Sequence, residues 1–137
     1  FIMQVFITSV NPIETVKQLD IRRFNKQIIE INQILKAINK ESEAWKNHPC
    51  TLQYKEYTKW LELYLRCFNE YLSASILATE YTPLFHTSDY LTQMKRRLFT
   101  KDPEYYKHWS NLGTSDINWY YVDGEWRYYL AGKRIYL

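Results

Sequence analysis

Two long stretches of the chain place apolar residues at intervals of three and four. Over residues 13–40, roughly, Phe24, Ile28, Ile31, Leu35 and Ile38 recur in this way, which gathers them on one stripe of a helix. Residues 41–47 interrupt the pattern. Pro49 then suits a first helical position, with Asn47 or His48 as the cap. Tyr57, Trp60, Leu61, Tyr64, Phe68 and Tyr71 predict a second long amphipathic helix ending before Pro83. Ser88 and Asp89 read as caps of a third helix running to about Phe99. Lys95, Arg96 and Arg97 lie near its end, where cations suit the helix dipole. Asp102-Pro103-Glu104 opens a short fourth helical turn. Ahead of all this, Met3-Gln4-Val5-Phe6-Ile7 reads as a short strand or an extended arm, closed by a turn at Asn11-Pro12. Near the other end, Asp123-Gly124 sits between two aromatic runs, the signature of a hairpin. The predicted fold is mainly α: a compact bundle of three to four helices with an aromatic, basic C-terminal hairpin or coil.

The polar positions of the first long helix are as informative as the apolar ones. Arg22, Arg23, Lys26 and Glu30 fall within an arc of about 100°, roughly opposite the apolar stripe. Asp20 projects elsewhere, toward the apolar side, if the helix already runs there. One reading is a solvated face with a Lys26–Glu30 ion pair. The other is a patch that grips phosphate around a single carboxylate, which is then available for proton transfer or for a developing sugar cation.

Length and composition narrow the classes. The 137 residues amount to one domain, residues 1–137, enough to bury a core without staples. Two cysteines, Cys50 and Cys67, are expected to be reduced, in a cytoplasmic protein. No apolar run approaches the roughly 18 residues of a membrane span, and no signal peptide is visible. A net charge of +3 permits a nucleic-acid partner without demanding one. With 3 glycines there is no glycine-rich phosphate loop, and nucleotide-binding, serine-hydrolase and zinc-protease signatures are missing. His48, His86 and His108 lack neighbours at metal-ligand spacing, so no metal is expected. Aromatics make up 18% of the chain, and they concentrate near its end. There Trp119, Tyr120, Trp126, Arg127, Tyr128, Lys133, Arg134 and Tyr136 interleave rings with cations. Rings stack on bases and cations neutralise phosphate, so this segment reads either as a nucleic-acid surface or as a tail docking into the core.

The motifs together resemble a family. Leu19-Asp20-Ile21-Arg22-Arg23-Phe24-Asn25-Lys26-Gln27-Ile28-Ile29-Glu30 resembles the L-D-x-x-R-x-x-K-Q-x-x-E stretch of pyrimidine-dimer DNA glycosylase, or endonuclease V-like, proteins. Trp45-Lys46-Asn47-His48-Pro49 resembles their W-x-N-H-P motif. Phe85-His86-Thr87-Ser88 and the stretch from Leu98 through Lys101-Asp102-Pro103-Glu104-Tyr105-Tyr106 resemble their F-H-x-S and L-x-x-K-D-P-E-Y-Y motifs. Trp126-Arg127-Tyr128-Tyr129, Gly132-Lys133 and Ile135-Tyr136 are similar to the family's tail.

That resemblance implies a compact helical enzyme whose nucleophile is the α-amine of the mature N-terminal residue. The amine attacks the damaged nucleotide's sugar, an imine forms, and the strand breaks by β-elimination. The family's chains begin where Met3-Gln4 stands, so the implied nucleophile is the amine of Met3 or of Gln4. In these enzymes the catalytic glutamate directly follows an arginine of the first helix; here Arg23 follows Arg22. Glu30 lies one heptad beyond Arg23, within about 20° of the same face. Glu30 is the first choice of carboxylate, and Asp20 the second. The implied DNA contacts are Arg22, Arg23, Lys26, His48, Lys95, Arg96, Trp126, Arg127, Tyr128 and Lys133. The expected partner is double-stranded DNA, bound by a monomer with no cofactor and no membrane. Two other readings stay open: a non-catalytic DNA-binding module of the same fold, and a protein-interaction domain docking through its aromatic tail.

Overall fold

A computed structural model describes residues 3–70 and 72–137, with Glu70 described for its backbone alone. Six α-helices occur among these residues: α1 (Pro12–Gln18), α2 (Ile21–Ile38), α3 (Pro49–Tyr54), α4 (Thr58–Glu70), α5 (Leu72–Thr79) and α6 (Ser88–Lys101). A 3-10 helix (Lys107–Leu112) follows, then strands β1 (Ile117–Val122), β2 (Glu125–Leu130) and β3 (Lys133–Ile135). The chain is mainly α, with more and shorter helices than the sequence pattern predicts. No helix among the described residues is long and apolar enough to cross a membrane.

The helix expected over residues 13–40 is broken at Leu19-Asp20. Both residues adopt extended backbone, and Asp20 becomes the N-cap of α2, its carboxylate accepting from the Arg23 N–H. The break is held from outside the helix. The Tyr106 hydroxyl accepts from the Asp20 N–H at 2.8 Å and donates to Asp20 Oδ1. Burial pushes the Asp20 carboxyl up, but Tyr106 and Arg23 outweigh it and hold its pKa below the ordinary value. Asp20→Ala removes the cap and the acceptor of the Tyr106 O–H, and is expected to cost about 2–3 kcal/mol in chemical denaturation. Because the folded-state pKa is lowered, the carboxylate's contribution is present at neutral pH and disappears as pH falls through that pKa. The parent and the variant should therefore converge in acid.

The second long helix is likewise broken, at residues 55–57 between α3 and α4. Tyr71, one of its periodic residues, lies outside the described residues. Trp60, Leu61, Tyr64 and Phe68 do bury one face of α4. His48 is the cap of α3: its ring Nδ1 accepts from the Cys50 N–H at 3.1 Å. Thr87 caps α6, so Ser88 and Asp89 fall inside its first turn. α6 runs past Phe99 to Lys101. Both cysteines are free and buried.

The three strands form an antiparallel sheet of order β1-β2-β3. Asp123 and Gly124 take φ of 52° and 80°, the double positive φ of a two-residue hairpin turn. Ala131 and Gly132 repeat the device at 51° and 80°, producing a third strand that the sequence pattern does not flag. Alternation along β1 buries Asn118, Tyr120 and Val122.

The N-terminal arm resolves as extended chain without a ladder partner. Met3, Val5, Phe6 and Ile7 are buried in the same core cluster as Ile31, Ile34, Tyr54, Trp60, Tyr64 and Tyr120. A buried backbone must find partners for its polar groups, and here side chains supply them. The Gln27 amide donates to the Gln4 carbonyl and accepts from the Phe6 N–H, standing in for a neighbouring strand's peptide group. Tyr64 donates to the Phe6 carbonyl and Tyr120 to the Met3 carbonyl. Residues of α2, α4 and β1 thus fix the arm from three sides.

Candidate active site

The arm crosses the face of α2 that carries Gln27 and Glu30. This changes the picture of that helix. Its buried line passes through Gln27, Glu30, Ile31, Ile34 and Ala37, rotated by about 80° from the predicted apolar stripe. Glu30, for which the sequence leaves a solvated ion pair as one of two readings, is 5% exposed. The cause is the arm, an apolar segment distant in sequence that covers polar positions by satisfying them through hydrogen bonds.

The Gln4 N–H donates to Glu30 Oε2 at 3.1 Å. Lys26 Nζ lies 3.7 Å from Glu30 Oε1, one turn earlier on the helix. Burial raises the Glu30 pKa, opposed by the Gln4 N–H and by the charges of Lys26 and Lys101. The result is a carboxyl with greater proton affinity than a surface glutamate, at the base of a cationic cleft. The cleft is lined by Gln4, Phe6, Arg22, Arg23, Lys26, Gln27, Glu30 and Lys101. Such a site can hold an anionic backbone at its rim while a carboxyl with a tuned pKa exchanges protons inside.

Of the residues singled out from sequence, Gln4, Glu30, Arg22, Arg23 and Lys26 meet in this cleft. Met3 does not line it and is fully buried. Arg22 and Lys26 are exposed, whereas Arg23 is partly covered and reaches back to Asp20 at 3.3 Å. Asp20 does not line the cleft; its carboxylate is committed to Tyr106 and Arg23. The remaining residues lie elsewhere. His48 is half-buried, its ring edge-on to Trp45 and Tyr120, and burial lowers its pKa. Lys95 sits 5.9 Å from the centre of the Trp109 ring. Arg96 donates to the Thr114 carbonyl at 2.7 Å, tying α6 to the segment ahead of β1. Trp126 packs against Tyr90, Trp119 and Tyr121, so this ring belongs to the fold's packing. Tyr128 meets Trp119 edge-on, Arg127 pairs with Glu125 at 3.1 Å, and Lys133 is exposed.

Gln27 and Lys101 are cleft residues to which sequence reasoning assigned no role. Gln27 had a signal, because it stands three residues before Glu30 and so shares its face. Lys101 had none in periodicity: only the docking of the C-terminal end of α6 near α2 brings it here. Among the described residues, no group of three or more His, Cys, Asp or Glu is placed to hold a metal.

If the rim cations grip phosphate, Arg22→Ala and Lys26→Ala should each weaken duplex binding regardless of sequence. Each should also flatten the plot of log affinity against log salt by about one unit, as measured by fluorescence anisotropy across a salt series.

A family model described as pyrimidine dimer DNA glycosylase matches residues 3–73. Among curated proteins nothing matches the chain, and among solved structures nothing matches it either. The matched segment is just over half of the sequence. It contains the arm, α1 to α4 and every cleft residue except Lys101. With the arm, the cationic face and the buried glutamate all inside that match, the chain belongs to the pyrimidine dimer DNA glycosylase family.

Proposed function

We propose that the chain excises a damaged or modified pyrimidine, first of all a cyclobutane dimer, from duplex DNA and then nicks the strand. The reaction runs through an imine on the N-terminal amine of the mature chain, at Met3 or Gln4. One observation carries this reading: the nitrogen of Gln4 lies 3.1 Å from the carboxyl of Glu30, in a cleft rimmed by Arg22, Arg23 and Lys26. In a chain processed to begin at Gln4, that nitrogen is the α-amine. An α-amine has an ordinary pKa near 8, and surrounding cations enlarge its neutral, nucleophilic fraction. Attack at C1′ displaces the base, which takes up a proton as it leaves; the C1′–O4′ bond then opens, O4′ is protonated, and the nitrogen pair forms the imine. Glu30, its pKa raised by burial, serves the proton transfers at the sugar. Arg22, Arg23 and Lys26 hold the phosphates, and cations and rings outside the cleft (His48, Lys95, Arg96, Arg127, Tyr128, Lys133) extend the footprint on double-stranded DNA. The protein acts as a monomer and needs no cofactor.

The test uses duplexes carrying a cyclobutane dimer, an abasic site or a modified pyrimidine, with and without borohydride. Base release, nicking and a covalent adduct are expected. Nicking at abasic sites alone would remove base recognition from the reading. A second reading, a DNA-binding module without chemistry, is favoured by one observation: with Met3 ahead of it, the nitrogen of Gln4 is a peptide N–H. Salt-sensitive duplex binding with neither nicking nor adduct would select that reading.

A further inference from the structure

The cleft contains amines that need no processing of the chain start. Lys26 and Lys101 both line it. Lys26 is paired with Glu30 at 3.7 Å and keeps its charge partner close. Lys101 is the last residue of α6, lines the cleft, and has no ion pair within 4.0 Å among the described residues. The charged groups that face it are Arg97 on its own helix, Arg23 and Lys26 on α2, and Glu30.

We propose that Lys101 Nζ is a second imine-forming amine of this cleft, acting on the ring-opened aldehyde of an abasic sugar. The proposal rests on the reading of the cleft as a site of imine chemistry on DNA, and extends it to a residue outside the segment matched by the family model.

Partial burial lowers the Lys101 pKa, and three neighbouring cations lower it further against the opposing pull of Glu30. A larger fraction of this side chain is therefore neutral at a given pH than of an ordinary lysine. The neutral amine adds to the C1′ aldehyde; a carbinolamine forms and loses water to give a protonated imine. The Glu30 carboxylate removes a proton from C2′. The C–H electron pair forms a C1′=C2′ bond as the iminium π pair moves onto nitrogen. The nitrogen pair then returns to the C1′–N bond, the C1′=C2′ pair shifts to C2′=C3′, and the C3′–O bond breaks with the 3′-phosphate as leaving group. Water then hydrolyses the imine and restores the lysine. Glu30 lines the same cleft, as this proton transfer requires.

The experiment compares the unmodified protein with one whose α-amine is acetylated, each incubated with an abasic-site duplex and borohydride. The adduct is mapped by peptide mass spectrometry. With the α-amine blocked, nicking persists and the adduct maps to Lys101. In that background Lys101→Arg, which keeps the charge and removes the nucleophile, lowers nicking at least tenfold with duplex affinity unchanged. Circular dichroism checks that the variant is folded. An adduct only on the α-amine, or full nicking by the blocked Lys101→Arg protein, overturns the role of Lys101 and leaves the proposed function standing. No adduct and no nicking in either protein overturns both.

Discussion

Replacing Glu30 by glutamine is expected to reduce base release by about 10²–10⁴-fold, the usual range for losing a positioned general acid or base, while duplex affinity holds or rises. The carboxyl is the acid of the cleft, surrounded by Arg22, Arg23, Lys26 and Lys101. Glutamine keeps an oxygen that can accept from the Gln4 N–H, so the arm stays in place. Lys26 loses a partner at 3.7 Å, but its side chain is 58% exposed and such pairs contribute little. Removing one anion from a cationic cleft makes it more attractive to phosphate. Folding should follow the same logic. Burial raises the Glu30 pKa, so above its ordinary value of 4.5 the folded protein binds more protons than the unfolded chain. Stability then falls as pH climbs through that window. Glu30→Gln should lessen this slope, and denaturation curves between pH 4 and 8 would reveal it. Base release at the parent rate, with DNA binding intact, would remove Glu30 from the mechanism.

Gln27→Ala is the second large effect. It deletes the side chain that accepts from the Phe6 N–H at 2.6 Å and donates to the Gln4 carbonyl at 3.0 Å. Both backbone groups are buried, and each left without a partner costs about 1–3 kcal/mol, for a combined loss of about 2–6 kcal/mol. That is a large share of a typical domain's stability. The loss is also local: the arm is released from α2, and the Gln4 nitrogen is no longer held against Glu30. Base release should therefore fall even at temperatures where the protein remains folded, and the Phe6 amide should lose its protection in hydrogen exchange. An unchanged midpoint of denaturation together with a protected Phe6 amide would show that other contacts hold the arm. The parent amide is needed here, since glutamate could accept from Phe6 but could not donate to Gln4 and would set a second anion beside Glu30.

How much of this was legible beforehand depends on the range over which each feature is decided. The hairpin turn at Asp123-Gly124 was readable because two adjacent residues fix their own backbone angles. The turn at Ala131-Gly132 adopts similar angles with an alanine at positive φ, which local preference disfavours, so the third strand left no clear mark. The start of α3 at Pro49, capped by one of the two preceding residues, and the buried face of α4 were readable for the same reason: caps and amphipathic periods are written within a few residues. The break at Asp20 was not, because Tyr106, 86 residues away, holds it.

The site divides along the same line. Sequence alone determined that Arg22, Arg23, Lys26 and Glu30 share one side of a helix, because a helix fixes that relation over two turns. It also supplied the motifs shared with the glycosylase family. Only the tertiary structure decided that Glu30 is buried, that an apolar arm lies across it, and that Gln27 serves as a surrogate strand for that arm. It alone brought Lys101 to the cleft. These are long-range contacts between segments whose local patterns do not refer to one another. A solvated ion pair and a covered, tuned carboxyl have the same spacing along the chain; the dielectric and the neighbours that distinguish them come from elsewhere in the fold.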